Sequence, residues 1–465
     1  MSTTVPLNEE PRWEGVREVM AMSGPIILST LSYSLMGFVD RVMVGRVSES
    51  ALAAVTSADI ASYTLSTLFM GIVSIVGTFA AQCYGRNEHA DCSRYCWQGV
   101  WLSFSGVLFA LVLLPLSGPL FHAMGHTAEV TGLELTFFRI RLIGYLFVGC
   151  MAAFTGFFQA VNRSGIPMLT AIAGNLANLF LNYAFIFGHF GFPAMGIAGS
   201  ASATVLAMLL QSSLLFGVFL SRPFHEKYAT RATWAFDAPR LRELVRVGVP
   251  AAMCMFLDVA NWWIWISFII GRFGTIQMAA NTVALSFNQF CFMPVIGLHM
   301  GISAIVGQWI GRGDPDRAAA RTHTTLKIAA MYMVGMGLVF AVFGGVLAKA
   351  IFNPANPDIV PLAARLLVLA ALFQAFDAAN ITYIGALRGA GDTRWMMWMT
   401  LIIAYGFGLP LSCFLGFGMG LETYGAWIGA TVYIIVLSGM LIRRFESGHW
   451  RRISIFSETR IANQT

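Results

Sequence analysis

Two short polar motifs interrupt apolar stretches in the second half of the chain: Asp258-Val-Ala-Asn261 and Asp377-Ala-Ala-Asn380. Residues three apart on a helix share a face, so each motif places a carboxylate beside an amide, and Gln374 extends the second motif. Buried carboxylates can take up and release a proton, and carboxylate and amide oxygens are also hard ligands for Na⁺. The motifs therefore predict a site that binds a cation or a polar ligand, and the sequence does not choose between H⁺ and Na⁺.

Aromatic and amide residues are concentrated around these motifs. Phe287, Asn288 and Phe373 lie near them in sequence, and we expect these three side chains to line a ligand pocket. The alternative is that the two acids are only neutralised by contacts between helices.

The first half of the chain carries a different set of polar residues. Asp40 stands alone, but Asn178 and Asn182 are one helical turn apart, and Thr204 lies on the next predicted helix. A carboxylate with amide and hydroxyl oxygens predicts a small-cation site; alternatively, the amides only hydrogen-bond neighbouring helices. Adjacent helix positions do not face each other, so we expect Arg41 to point away from Asp40, and an ion pair between the two would weaken the site.

Acidic residues at helix depth are the strongest functional signal in this sequence. They are Asp40, Asp59, Asp258 and Asp377. A charged carboxylate at the centre of a membrane helix costs roughly 2.5–3.5 kcal/mol on insertion scales, so several are not expected without a partner or a role. Asp59 lies close to the start of its predicted helix, and we expect it to be structural.

The composition indicates what kind of element must position these groups. The 465 residues are 57% hydrophobic and 11% charged, with a mean hydropathy of +0.69, which is typical of a polytopic membrane protein. Continuously apolar runs favour helices over a closed β-barrel. We predict transmembrane helices near 20–45, 55–80, 96–121, 137–160, 167–188, 195–220, 246–270, 279–305, 324–352, 361–386, 395–416 and 422–442.

The chain also repeats itself. Gly45-Arg46 recurs as Gly271-Arg272, a shift of 226 residues (271 − 45) that also carries Gln82 onto Gln308. The predicted fold is therefore an all-α integral membrane protein whose 12 transmembrane helices form two six-helix bundles related by a pseudo-two-fold axis along the membrane normal. Its predicted segments are a tail at 1–19, an N-lobe at 20–220, a linker at 221–245, a C-lobe at 246–443 and a tail at 444–465. Pro25 and Pro250 occupy matching positions, either at a helix start or at a hinge.

The net charge of +6 reflects membrane topology rather than nucleic-acid binding. Most Arg and Lys residues fall in alternate loops and in the C-terminal tail, so both termini and the linker are predicted to be cytoplasmic in a multi-pass protein of the cell membrane. We expect no cofactor, no metal site beyond possible Na⁺, and a monomer.

Several motifs together resemble the multidrug and toxic compound extrusion (MATE) family. They are Met36-Gly37-Phe38-Val39-Asp40, the Gly85-Arg86 and Gly311-Arg312 loops, and the Leu387-Arg388-Gly389 turn. The resemblance implies two six-helix bundles that export organic cations in exchange for Na⁺ or H⁺. Acids on the seventh and tenth helices are similar to the NorM branch and map to Asp258 and Asp377, with Asn261, Gln374 and Asn380 beside them. The family's first-lobe cation site maps to Asp40, Asn178, Asn182 and Thr204.

Two departures from the family pattern bear on the coupling ion. Asp258 stands where the branch usually has Glu, and Asn182 stands where members with a first-lobe sodium site often have Asp. A single acid in the first-lobe site weakens the case for Na⁺, so we lean towards H⁺ coupling. The alternatives are a lipid-linked oligosaccharide flippase, which would carry cationic residues in its cavity, and an intramembrane enzyme, for which no convergent acid-base or nucleophile set is recognisable.

Overall fold

Apolar sequence forms helices throughout the described chain. The computed structural model describes residues 11–352 and 358–457, in which every regular element is helical and no strand occurs. Helices satisfy their backbone N–H and C=O groups internally, as the interior of a bilayer requires. The predicted all-α class is confirmed.

The first half of the chain contains ten helices among its described residues. They are α1 (Arg12–Gly45), α2 (Glu49–Val73), α3 (Val76–Gly85), α4 (His89–Ser103), α5 (Ser105–His122), α6 (Ala128–Ile143), α7 (Tyr145–Ala160), α8 (Gly165–Phe187), α9 (Ile197–Phe219) and α10 (Arg222–Tyr228). α6 and α7 form one apolar span that is bent by 46° between them.

The second half continues with longer helices. They are α11 (Ala238–Ile264), α12 (Thr275–Gly311), α13 (Pro315–Phe352), α14 (Ile359–Ala390), α15 (Thr393–Thr400), α16 (Leu409–Cys413) and α17 (Glu422–Glu446). Wider π-helical turns at Trp265–Ile269, Leu401–Gly408 and Phe414–Gly418, and 3₁₀ turns at Ile270–Arg272 and His449–Arg452, join or extend them. Within the described ranges, eleven helices are long and apolar enough to cross a bilayer, or twelve with the bent α6 and α7 pair, in agreement with the predicted twelve.

The helices pack into two compact units, which we call unit 1 and unit 2. Among the described residues, unit 1 contains those up to Ile27 and those between Met253 and Ser454, whereas unit 2 contains Leu28–Ala252 and the residues from Ile455 to Ser457. The boundaries of these units differ from the predicted lobe boundaries at the first helix of each lobe and at the C-terminal segment. α1 begins in unit 1 and ends in unit 2, and α11 does the reverse.

Both exchanged helices contain a proline just before the change of unit. Pro25 lies inside α1 and Pro250 lies inside α11, because these helices begin earlier than predicted, at Arg12 and Ala238. The interpretation that these prolines mark helix starts is therefore wrong. A proline inside a helix lacks the N–H for one backbone hydrogen bond, so each helix is weakened where it passes between units.

Glycines allow the exchanged segments to pack closely. In unit 1 a Cβ on Gly297 would lie 2.9 Å from the Ile27 Cα, and in unit 2 a Cβ on Gly71 would lie 2.5 Å from the Ala252 Cα. Gly71 and Gly297 are related by the internal repeat (297 − 71 = 226). The duplication therefore conserves this backbone contact in both units, and a larger residue at either glycine would push the helices apart.

A carboxylate anchors each exchanged segment. In unit 1, Glu18 accepts hydrogen bonds from Trp309 Nε1 at 2.9 Å and from Arg321 Nε at 2.5 Å. In unit 2, Glu243 accepts hydrogen bonds from the Tyr95 hydroxyl and from the backbone N–H of Ser457. Pro25 and Pro250 are separated by 225 residues (250 − 25), and so are Glu18 and Glu243 (243 − 18). The two anchors are thus repeat-related, but among the described residues only that of unit 1 has a cationic partner.

The linker and the C-terminal segment both pack on unit 2. Trp97 Nε1 on α4 donates to the Thr230 carbonyl at 2.7 Å, and Gln98 Nε2 donates to the Ala235 carbonyl at 2.9 Å. Phe456 is 3% exposed, and the Arg86 guanidinium lies 4.2 Å from its ring centre. The predicted linker is therefore a docked part of unit 2 and not a loose connection.

Candidate functional site

The first candidate site lies in unit 1, and we call it the Asp377 cluster: Asp258, Asn261, Asn288, Gln374, Asp377 and Asn380. Asp377 and Gln374 lie on one face of α14 and are buried. Gln374 Nε2 donates to Asn288 Oδ1 on α12 at 2.9 Å, and Asn380 Nδ2 donates to Asp377 Oδ1 at 3.3 Å. The structure therefore brings the α14 motif together with the α12 amide, as the sequence predicts.

This cluster has more hydrogen-bond acceptors than donors. Gln374 Oε1, Asp377 Oδ2 and Asn380 Oδ1 are buried and accept no hydrogen bond from the described residues. Leaving a buried polar atom unsatisfied costs about 1–3 kcal/mol, and more for a charged group. A bound proton or cation would satisfy these oxygens, which makes the cluster suited to cation uptake.

Asp258 reaches this cluster from α11. Its side chain is exposed, and its charge lies within electrostatic range of Asp377. Asn261 is buried, and within the described chain no hydrogen bond joins it to Asp258. Two carboxylates at such range repel when both are charged, so protonation of one relieves the other.

Two tyrosines that the sequence reasoning missed complete the surroundings of the acids. The Tyr405 hydroxyl, in a π-helical turn, donates to the Leu257 carbonyl at 2.9 Å, next to Asp258. Tyr433 on α17 is buried within electrostatic range of Asp258 and Asp377, and its hydroxyl has no hydrogen-bond partner among the described residues. Its position near the acids depends on helix packing, for which the sequence holds no signal.

The two predicted aromatic wall residues occupy different environments. Phe287 is half-buried and packs edge-on against Phe340. Phe373 is 1% exposed and lies 6.1 Å from Trp427 between ring centres, inside the core of unit 1. Their contact with a ligand stays a prediction.

The second candidate site lies in unit 2, and we call it the Asp40 cluster: Asp40, Asn178, Asn182 and Thr204. Asn182 Nδ2 lies 2.5 Å from Asp40 Oδ1 and 2.7 Å from Asn178 Oδ1, and Asn178 Nδ2 lies 3.3 Å from Thr204 Oγ1. In the opposite orientation of its amide, Asn178 donates to Asp40 Oδ1 at 3.0 Å. The four predicted residues therefore meet, with amide N–H groups directed at the carboxylate.

A cavity of about 170 Å³ opens beside this cluster, inside unit 2. Asp40, Arg41, Asp59 and Arg141 line it, together with the thioethers of Met36 and Met208. Two acids and two arginines make its lining formally neutral. The cavity thus offers charges of both signs rather than a purely anionic surface.

Asp59 and Arg141 form an ion pair in this cavity. α2 begins at Glu49, so Asp59 lies inside the helix, and the prediction that it lies close to a helix start is wrong. Arg141 Nη2 lies 3.3 Å from Asp59 Oδ1, at the end of α6 just before the bend. Arg141 was the missed residue, and its signal was the one used for the acids: a charge inside an apolar span.

Arg41 does not pair with Asp40. It is exposed and lines the same cavity, and the described ion pairs include none between these two adjacent residues. The expectation that the side chains diverge agrees with this geometry, although Arg41 stays beside the cavity. The Asp40 carboxylate is therefore held by amides and not by its neighbour.

Helical spans with buried carboxylates and amides, and a cavity inside one unit, define a polytopic membrane transporter rather than an enzyme. A family model described as MatE matches residues 25–184 and 250–414. The chain therefore belongs to the MatE family, whose members are multidrug transporters.

Individual relatives cover almost the whole chain. A probable multidrug resistance protein NorM of Brucella suis biovar 1 is 30% identical over 460 residues, covering 96% of this chain and 95% of the relative. The multidrug resistance protein PmpM of Pseudomonas aeruginosa is 29% identical, covering 94% of each. A solved outward-facing MATE family transporter of the MOP superfamily has a TM-score of 0.86 at 19% identity, covering 94% of this chain and 97% of that one, which supports the fold.

Proposed function

We propose that this transporter exports organic, mainly cationic compounds in exchange for H⁺. The curated relatives are multidrug resistance proteins, which supports organic drugs as the cargo. In the proposed cycle, a proton on the Asp377 cluster and a cationic compound displace each other. Release of the compound outside leaves the acids ionised, and they bind a proton from that side, which is released inside when the next molecule of cargo binds.

One observation carries the choice of H⁺. Asp377 is buried with Oδ2 unpartnered among the described residues, and Asp258 stands within electrostatic range of it. A single proton can remove the repulsion between two carboxylates without a full coordination shell. Na⁺ is the alternative ion, because three acceptor oxygens, one each on Gln374, Asp377 and Asn380, face no donor in the described chain.

Gradient-driven transport in liposomes decides between the two ions. The full chain is reconstituted, and uptake or efflux of a fluorescent organic cation is followed under an imposed pH gradient in sodium-free buffer, then under a Na⁺ gradient at equal pH. We expect transport with the pH gradient alone. Transport that strictly requires the Na⁺ gradient would reverse the choice of ion, and no transport under either gradient would refute the antiporter.

We also propose that both termini and the linker face the cytoplasm, with the protein in the cell membrane. Exposed sites for labelling are Ala232 in the linker and Ala123 after α5. In a cysteine-free background, A232C should react with a membrane-impermeant maleimide only after the cells are opened, whereas A123C should react in intact cells. The opposite pattern would invert the topology.

A further inference from the structure

The Arg141 guanidinium is poorly satisfied for a cation inside a membrane span. Its Nη2 lies 3.3 Å from Asp59 Oδ1 and its Nη1 lies 3.8 Å from the Met208 sulfur. Its Nε is buried and has no acceptor among the described residues. A guanidinium has five N–H donors and favours two parallel bonds to one carboxylate, so Arg141 has donor capacity that Asp59 and Met208 do not use.

The internal repeat shows that Arg141 is not part of the shared scaffold. The 226-residue offset places Leu367 at the matching position (367 − 141) and Leu285 at the position that matches Asp59 (285 − 59). Leu367 is fully buried in the core of unit 1. The same fold therefore needs no charge at either position, which points to a role that only unit 2 performs.

We propose that Arg141 is a specificity-determining residue that binds the carboxylate of zwitterionic cargo in the unit 2 cavity. The lining carries Asp40 and Asp59 against Arg41 and Arg141, so a simple cation meets no net negative charge there. A molecule with both a cationic centre and a carboxylate matches a lining that carries charges of both signs. Asp59 forms the ion pair with Arg141 in the free protein, and the carboxylate of the cargo replaces Asp59 as the partner of Arg141.

The cavity size limits which part of the cargo enters. Pockets that enclose drug-sized ligands are typically about 300–1,000 Å³. The cavity of about 170 Å³ therefore accepts a carboxylate-bearing ring or chain end, while the remainder of the molecule stays outside. Met36 and Met208 provide adaptable apolar contacts for that end.

This inference rests on the proposed transport function, but binding to the purified full chain tests it without any gradient. Rhodamine B and rhodamine B ethyl ester share one cationic chromophore and differ only in a free or esterified carboxylate. Their binding is measured by fluorescence anisotropy for the wild type and for R141Q, with R139Q as the control. Arg139 is an exposed arginine on the same helix, and its Nε donates to Ser117 Oγ at 3.2 Å.

R141Q should weaken rhodamine B binding about tenfold or more, as expected for the loss of a charge-assisted pair, and should leave the ester unchanged. R139Q should change neither ligand. D59N should tighten rhodamine B because it frees Arg141 from its internal partner. The inference is overturned if R141Q weakens both ligands equally, or if rhodamine B binding is unaffected by R141Q or by D59N.

Two further measurements distinguish failure of the Arg141 contact from misfolding and from failure of the proposed transport. Retained ester binding reports that R141Q is folded, and if R141Q does not fold, R141K and D59N still decide the matter. R141K keeps the positive charge but loses the planar guanidinium that can form two parallel hydrogen bonds to a carboxylate. It should therefore weaken rhodamine B binding less than R141Q does, and an equal loss of binding in the two variants would refute the carboxylate contact. Failed gradient-driven transport with intact discrimination of the two ligands would refute the antiporter and not the cavity assignment.

Discussion

The two units surround their acidic clusters with different charged groups. In unit 2, Asp40 receives an amide N–H from Asn182 at 2.5 Å, and an arginine lines the adjoining cavity. In unit 1, Asp377 keeps one oxygen without a partner among the described residues and has a second acid within range. Both carboxylates accept one amide hydrogen bond and have a second acid within electrostatic range. What distinguishes unit 2 is the pair of arginines that line its cavity, and what distinguishes unit 1 is the buried Asp377 oxygen that has no partner among the described residues. This difference is the basis for proposing proton exchange at unit 1 and recognition of mixed charge at unit 2.

The largest expected effect is at Asp377. D377N keeps the side-chain shape but removes the exchangeable charge, so it should abolish gradient-driven export, and D258N should be comparably damaging. Export by reconstituted protein and the amount of protein in the membrane are the measurements. D316N is the matched control, because Asp316 pairs with Arg451 at an exposed position. Normal export by D377N and D258N would show that unit 1 does not hold the coupling site.

A smaller loss is expected when Tyr433 loses its hydroxyl. Y433F keeps the ring in the core but removes a polar hydroxyl within electrostatic range of both acids, and export should slow by a few-fold, because a nearby dipole stabilises a charged acid less than a direct hydrogen bond does. Y424F is the control, since the Tyr424 hydroxyl is 3.3 Å from Arg365 at an exposed site. If Y433F and Y424F export alike, the Tyr433 hydroxyl has no part in the proton site.

The contrast between units can also be reduced by mutation. N182D replaces the N–H donor that faces Asp40 with a second carboxylate, and the pair should then bind Na⁺ to offset its repulsion. On adding Na⁺, we expect the export rate of N182D to rise several-fold and its melting temperature to rise by several degrees. Either change corresponds to about 1–2 kcal/mol of stabilisation by bound Na⁺. N182A removes the donor without adding charge and should show no such response. If Na⁺ changes neither the export rate nor the melting temperature of N182D, the Asp40 cluster cannot form a cation site.

The smallest effects are expected at the repeat-related anchors. E18Q removes the negative charge facing Arg321 and should destabilise the protein by about 1.5–3 kcal/mol, whereas E243Q, whose donors are neutral, should cost about 1 kcal/mol. The apparent melting temperature of the purified protein is the readout, with E226Q as a surface control. Equal shifts in E18Q and E243Q would show that the cationic partner adds nothing to the anchor.

Much of the architecture could be predicted from local sequence. Apolar runs indicate membrane helices because each helix satisfies its own backbone, and the 226-residue repeat indicates two bundles. The D-x-x-N spacing predicted that Asp377 and Asn380 would meet, and the spacing of Asn178 and Asn182 did the same in unit 2. Each of these contacts joins two residues three or four positions apart on one helix, so helical spacing alone predicts it.

The exchange of α1 and α11 between units could not be read from the repeat. Periodicity shows which residues share a helix face, but the partner of that face is chosen by packing between segments far apart in the chain. The same limit hid Tyr433 and the ion pair between Asp59 and Arg141, because both depend on contacts between different helices.

The sequence by itself determined the class of this protein: a duplicated, helical membrane transporter with acids inside its spans. Hydrophobicity, the repeat offset and i, i+3 spacing are properties of the residue order alone, so they can be recognised before the fold is known. Only the tertiary structure decided which acids are satisfied and which keep a free oxygen. Hydrogen bonds and ion pairs such as Asp59 with Arg141 join residues from different helices, and their existence depends on distances of a few ångströms that no local pattern encodes.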